Sequence, residues 1–177
     1  HCGAGASGII NVPMKTFYII ANSGKAECLR LASEIAEYLT EHGQNCLIRN
    51  GGGNADREEK AYDPEVGKDV DGILVLGGDG TLLRAARDLA GRNIPFLGIN
   101  LGHLGYLAEI EEQNVYSALD RLIEGSYSVE NRMMLEGTVH VDGQDVAKDL
   151  ALNDIVLDRS GSLRVVNYDV YVNDQYL

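Results

Sequence analysis

Basic residues are scarce. Fifteen Lys and Arg stand against 27 Asp and Glu in 177 residues, a net charge of −12, and a chain of that sign is not built to hold nucleic acid or an anionic membrane. An anionic substrate would also be repelled at long range, so phosphate must be gripped by local backbone donors, a few Arg or Lys, and a divalent cation. Long hydrophobic runs are missing as well: nothing approaches the roughly 18–20 apolar residues of a membrane span. Cysteine is limited to Cys2, Cys28 and Cys46, with no metal-ligand spacing. That excludes a zinc site and reads as reduced thiols, Cys28 on the apolar face of a helix and Cys46 in a strand. The first thirteen residues, His1 to Pro13, are rich in Gly, Ala and Ser and have no periodic pattern. They lack the basic region and apolar core of a secretory signal, so they read as an extension ahead of a start at Met14, and a cytoplasmic protein is the expectation.

What is present is ordinary globular composition, 45% hydrophobic and 24% charged, enough for one core or for one domain and the start of another. The chain is organised around Gly72-Ile73-Leu74-Val75-Leu76-Gly77-Gly78-Asp79-Gly80-Thr81. A short apolar run that stops at two glycines suits a strand covered on both faces, as in a parallel sheet. The helix that follows is expected from Leu82 to Ala90. Glycines at 77, 78 and 80 let a ligand approach the backbone, and the N–H groups and dipole of a following helix attract phosphate. The stretch is not a Walker A loop, because no Lys-Ser/Thr pair follows the last glycine. It is not the dinucleotide fingerprint either, since Leu83 stands where the third glycine belongs. Asp79 has two readings: a helix cap that accepts a backbone N–H, or a carboxylate that accepts a hydrogen bond from a hydroxyl nucleophile or steers a metal ion.

Around this stretch the expected order is a strand at Thr16–Ala21, a helix from Ala26 to His42 closed by Gly43, and a strand at Asn45–Arg49. The run from Gly51 through Lys60 reads as a solvated loop. A strand from Ile94 to Ile99 then ends in a second glycine-rich loop, Asn100-Leu101-Gly102-His103-Leu104-Gly105-Tyr106. Ligands of open α/β sheets bind beyond the carboxyl ends of the strands, so the two loops are expected to face one site. His103 reads as a loop hydrogen-bonder or a base, and Tyr106 as a stacking platform or a core plug. A helix over Glu111 to Glu124, closed by Gly125, completes the first part.

From Tyr127 the texture becomes strand-like: Met134 to Val141, a turn at Asp142-Gly143, Asp149 to Leu157, and Arg164 to Val172 before a turn at Asn173-Asp174. The division is therefore an extension at 1–13, an α/β nucleotide-binding domain at 14–126, and a partial, truncated β-rich substrate domain at 127–177. The fold class is α/β: an open parallel sheet with helices on both faces, followed by the beginning of an antiparallel β-rich second domain. Asn153-Asp154 interrupts the apolar run Ala151 to Leu157. A buried polar pair needs partners, so it reads either as an Asx turn or as the lining of a ligand site. Arg132 reads as an anion contact or a solvated strand-edge charge.

Gly-Gly-Asp-Gly-Thr at 77–81, Gly-Ile-Asn-Leu-Gly-His-Leu-Gly-Tyr-Leu at 98–107, Glu-Asn-Arg-Met-Met-Leu at 130–135 and Ala-Leu-Asn-Asp at 151–154 occur in one order. The set resembles the NAD kinase family from Lys15 to Leu177, although the first motif is shared with phosphofructokinases and with diacylglycerol and sphingosine kinases. The resemblance implies transfer of the γ-phosphoryl of ATP to the 2′-hydroxyl of the adenosine ribose of NAD, with Mg²⁺ or another divalent cation. It implies that Asp79 orients or deprotonates that hydroxyl and that Gly78, Gly80 and Thr81 form the nucleotide turn. Leu104 and Tyr106 would border the adenosine pocket, and Asn153 and Asp154 would hold the adenosine. Asp154 stands where the family often has Glu. The family's Thr-Gly-Ser-Thr-Ala-Tyr stretch does not occur in the chain. Partners are thus NAD and ATP, with a homo-oligomer expected and no nucleic acid or membrane. The alternatives are a non-catalytic nucleotide-binding or assembly module, and a lipid or sugar kinase sharing the glycine motif.

Overall fold

A computed structural model describes residues 9–10, 12–51, 69–101, 107, 110–157 and 167–177. The sequence-derived strands and helices of the first part are present, with shifts at their ends. Strand β1 (Ile9–Ile10) precedes β2 (Thr16–Asn22), helix α1 (Ala26–Glu41) and β3 (Asn45–Gly51). Then come β4 (Gly72–Leu76), α2 (Asp79–Leu89), β5 (Phe96–Asn100) and β6 (Ile110–Glu111), followed by α3 (Val115–Glu124). Single 3-10 turns extend α2 at Ala90–Arg92 and lead into α3 at Glu112–Asn114.

Five strands form one parallel sheet in the order β3-β2-β4-β5-β6. Alternation along each strand sorts the core into two layers, because successive side chains of a strand point to opposite faces. Phe17, Ile19 and Ala21 of β2 join Leu74 and Leu76 of β4 under α1 and α3, with Leu31, Ile35 and Leu119 packed on them. Tyr18, Ile20, Ile73 and Val75 face the other way, where α2 covers them with Leu82, Ala85 and Leu89. The central strand is buried at all five positions, as a strand with helices on both faces must be.

Two local devices tie the layers. The Asp71 carboxylate accepts the backbone N–H groups of Lys15 and Thr16 at 2.7 and 2.9 Å, which holds the start of β2 to the start of β4. Gly125 ends α3 in the left-handed region at φ 78°, and a Cβ there would lie 2.9 Å from the backbone nitrogen of Pro13. Only glycine satisfies both demands.

Beyond residue 126 the strands are antiparallel. β7 (Tyr127–Ser128) pairs with β1, so part of the expected unpatterned prefix is a strand. Two residues are too few to register as a pattern. β8 (Leu135–Val141) and β9 (Gln144–Ala151) form a hairpin across Asp142-Gly143, both at positive φ, the backbone of a tight hairpin turn. The strand expected at Asp149 to Leu157 therefore lies earlier, starting directly after the turn. The polar residues Gln144, Asp145 and Lys148 concealed its beginning. Short strands β10 (Tyr171–Val172) and β11 (Gln175–Tyr176) close a second hairpin across Asn173-Asp174, also at positive φ. Residues 158–166, which include the start of the strand expected from Arg164, lie outside the described residues, as do 52–68, most of the expected solvated loop.

Candidate functional site

The sheet order makes the carboxyl ends of β2, β4 and β5 neighbours on one edge. The strand order reverses between β2 and β4, and there the connections leave toward opposite faces, opening a crevice. The glycine turn sits at that point. Its backbone is pinned by Gly77 N–H donating to Ile99 O at 3.0 Å, a link from the end of β4 to the end of β5.

Helix α2 begins at Asp79 with Gly78 as its N-cap, and no side chain caps it. It therefore starts three residues before the expected Leu82. The capping reading of Asp79 fails, because the residue lies inside the first turn. Its carboxylate reaches across instead: Asp79 Oδ1 accepts the backbone N–H of Leu107 at 3.2 Å. Leu107, which follows the second glycine-rich stretch, is thus held against the first turn, and a half-buried carboxylate stands at that junction. A carboxylate at a helix N-terminus is favoured by the helix dipole. Gly78 and Thr81 are half-buried and Gly80 is exposed; the Gly77 and Thr81 amides bond within the fold, to Ile99 O and Gly78 O. Leu104 and Tyr106, with His103, fall outside the described residues.

Asn153 and Asp154 are both exposed, which overturns the premise of a buried polar pair. Their apolar neighbours misled: Ile155, Val156 and Leu157 are 50, 80 and 72% exposed. Leu152, the residue before them, does pack into the α2 layer beside Leu82 and Leu107. It brings the end of β9 to the same side of the sheet as the glycine turn. A groove of about 1220 Å³ runs from Asp71 and Pro95, at the amino ends of β4 and β5, along α2 to Leu107 and Leu152. Arg132 lines this groove rather than the turn, and it pairs with Glu130 at 3.3 Å.

Two polar residues at the crest carried no pattern in the sequence. Asn100 is buried to 6% exposure at the end of β5, and Asn22 at the end of β2 donates its amide to Thr81 Oγ1 at 3.3 Å. Among the described residues, no three His, Cys, Asp or Glu side chains converge to hold a metal ion. The expected divalent cation therefore has no protein cage there, and no chemical step is assigned to one. Cys28 and Cys46 are free thiols, as expected, and burial raises both, Cys46 to about 11. No described helix is long and apolar enough to cross a membrane.

Fold and turn together define an open α/β protein with a glycine turn where the strand order of its parallel sheet reverses. Residues 17–127 match the ATP-NAD kinase N-terminal domain, and the chain belongs to that family. It is 36% identical over 166 residues to the NAD kinase of Lachnospira eligens and 42% identical over 166 residues to that of Agathobacter rectalis. Each match covers 93% of this chain and 57% of the relative, so the chain spans little more than half their length. Among solved structures, yeast NADH kinase complexed with NADH superposes with a TM-score of 0.65 at 18% identity, covering 94% of this chain and 55% of that one. That likeness confirms the parallel α/β sheet followed by antiparallel strand pairs.

Proposed function

We propose that this chain is the nucleotide-binding portion of an NAD kinase, which moves the γ-phosphoryl group of ATP to the 2′-hydroxyl of the adenosine ribose of NAD, giving NADP and ADP. The observation that carries the reading is the Asp79 carboxylate, in the first turn after the glycine motif, joined to the backbone N–H of Leu107 at 3.2 Å. A carboxylate at that junction can accept the proton of an alcohol presented beside a triphosphate. Phosphoryl transfer asks mainly for positioning and charge stabilisation. Asp79 orients the 2′-hydroxyl, its oxygen bonds to the γ-phosphorus, the bond to the β,γ-bridging oxygen breaks, and the hydroxyl proton leaves by way of Asp79. Gly78, Gly80 and Thr81 offer backbone and hydroxyl donors to the phosphates. Asn153 and Asp154, both solvent-facing, hold the adenosine of NAD, and Leu104 and Tyr106 border it. A divalent cation carried by the triphosphate would supply charge neutralisation. The division into residues 14–126 and 127–177, a homo-oligomer and a cytoplasmic location belong to the same proposal.

The test joins this chain to the remaining C-terminal part of the Agathobacter rectalis relative and supplies ATP, Mg²⁺ and NAD, with NADP read by an enzymatic cycling assay. The parent forms NADP, and Asp79→Asn lowers turnover by about 100-fold or more while NAD affinity stays within about threefold. Near-normal turnover in that variant removes Asp79 from the chemistry. A folded parent that binds NAD and forms no NADP reduces the chain to a binding module.

A further inference from the structure

The two loops flanking the reversal of strand order leave β2 at Asn22 and β4 at Gly77. A side-chain hydrogen bond spans them: Asn22 Nδ2 donates to Thr81 Oγ1 at 3.3 Å. The other end of the carboxamide settles its orientation. Asn22 Oδ1 accepts the backbone N–H of Gly24 at 2.9 Å; a backbone N–H can only donate, so the oxygen faces Gly24 and the NH₂ group faces Thr81. The Thr81 hydroxyl is thereby made an acceptor on its inner side. It also occupies the space that a side chain at position 77 would fill, since a Cβ on Gly77 would lie 2.6 Å from Thr81 Oγ1. The Thr81 backbone N–H is taken up by Gly78 O at 3.0 Å. Among the described residues no protein acceptor stands against the hydroxyl proton.

We infer that Asn22 is a positioning residue for the glycine turn: its amide fixes the Thr81 hydroxyl so that the proton is donated outward, to a phosphate oxygen held in the crevice. The inference rests on the nucleotide-binding reading above and adds a residue from a different loop to it. The physical need is clear. The turn carries no lysine, so neutral donors of fixed direction must do the gripping, and a free hydroxyl rotor would otherwise spend entropy in being aligned.

The test is calorimetric titration of the 177-residue chain with MgATP and, separately, with NAD. Asn22→Ser keeps an oxygen for the Gly24 N–H but cannot reach Thr81, and it weakens MgATP by about tenfold, the worth of one hydrogen bond. NAD affinity stays within about twofold. Asn22→Asp, which accepts where Asn22 donates and so draws the hydroxyl proton inward, loses more. Thr81→Val removes the hydroxyl, and the double variant with Asn22→Ser binds MgATP no more weakly than Thr81→Val alone, because the amide acts only through that hydroxyl. If Asn22→Ser does not fold, Asn22→Asp takes its place in the cycle. Penalties that multiply in the double variant, or an equal loss of NAD affinity, overturn the role of Asn22 and leave the nucleotide reading standing. A folded wild-type chain that binds no MgATP overturns both.

Discussion

Replacing Gly77 and Gly80 one at a time by alanine separates a glycine the fold requires from one a ligand requires. Gly77 adopts φ +158°, a backbone region that side-chain-bearing residues rarely enter, and a Cβ there would meet Thr81 Oγ1 at 2.6 Å and Thr81 Cβ at 2.9 Å. Thr81 cannot retreat easily, because it is in the first turn of α2 and its backbone N–H bonds to Gly78 O. Backbone strain of about 1–2 kcal/mol and overpacking of about 1–3 kcal/mol give a loss of about 2–5 kcal/mol for Gly77→Ala. In a chain of this size that lowers the melting temperature by about 4–20 °C. Gly80 is different: it is helical, and nothing lies within 4 Å of its absent Cβ. Gly80→Ala therefore gains about 0.5–1 kcal/mol of helix propensity and raises the melting temperature by about 2–4 °C. Its methyl group nonetheless occupies the space a phosphate would use, so MgATP affinity falls by about tenfold or more. Urea and thermal unfolding followed by circular dichroism, with MgATP titration beside them, read both effects. A stable Gly77→Ala would refute the clash, and a stabilised Gly80→Ala that still binds MgATP normally would refute close approach of a ligand to that backbone.

Burial raises the Cys46 thiol to about 11, so the folded state favours the protonated form. That contribution is present below the unfolded thiol value near 9 and is lost as pH rises from there through about 11. Its size stays below about 2 kcal/mol because the site is only part-buried, and Cys46→Ser should flatten the alkaline fall of the melting temperature between those values. Alkylation of Cys46 by iodoacetamide at pH 8 should be far slower in the folded chain than in urea. Fast folded-state labelling contradicts the burial argument. Asn153→Ala, at an exposed position, should change stability by less than about 0.5 kcal/mol while weakening NAD. A large stability loss with unchanged NAD binding would show that the amide serves the fold instead. Leu152→Ala should do the opposite, costing about 1–3 kcal/mol from a half-buried position, with ligand effects following only from unfolding.

How much of this was legible depends on whether the signal is local. The central strand and its turn were, because four consecutive apolar residues, Ile73 to Leu76, closed by glycines have few other uses. The end of α3 at Gly125 and the hairpin at Asp142-Gly143 were too, since both need positive φ and the residues that tolerate it stand there. The start of α2 was not, because Asp79, Gly80 and Thr81 carry no apolar period and the helix becomes visible only at Leu82. Asn153 and Asp154 were misjudged as buried for a related reason. Apolar neighbours report burial only when a second surface covers them, and Ile155, Val156 and Leu157 stay half or more exposed. That the carboxyl ends of β4 and β5 share one edge followed once the strands were taken as parallel. The order of the strands along that edge did not follow. The unit β2-α1-β3 shows that β2 lies beside β3, and β4-α2-β5 shows that β4 lies beside β5, yet neither says that β2 is the strand next to β4. That one adjacency brings Asn22 to Thr81 across 59 residues of sequence. A hydrogen bond that depends on sheet order leaves no periodicity behind, which is why the residue that aims the hydroxyl could be found only in three dimensions.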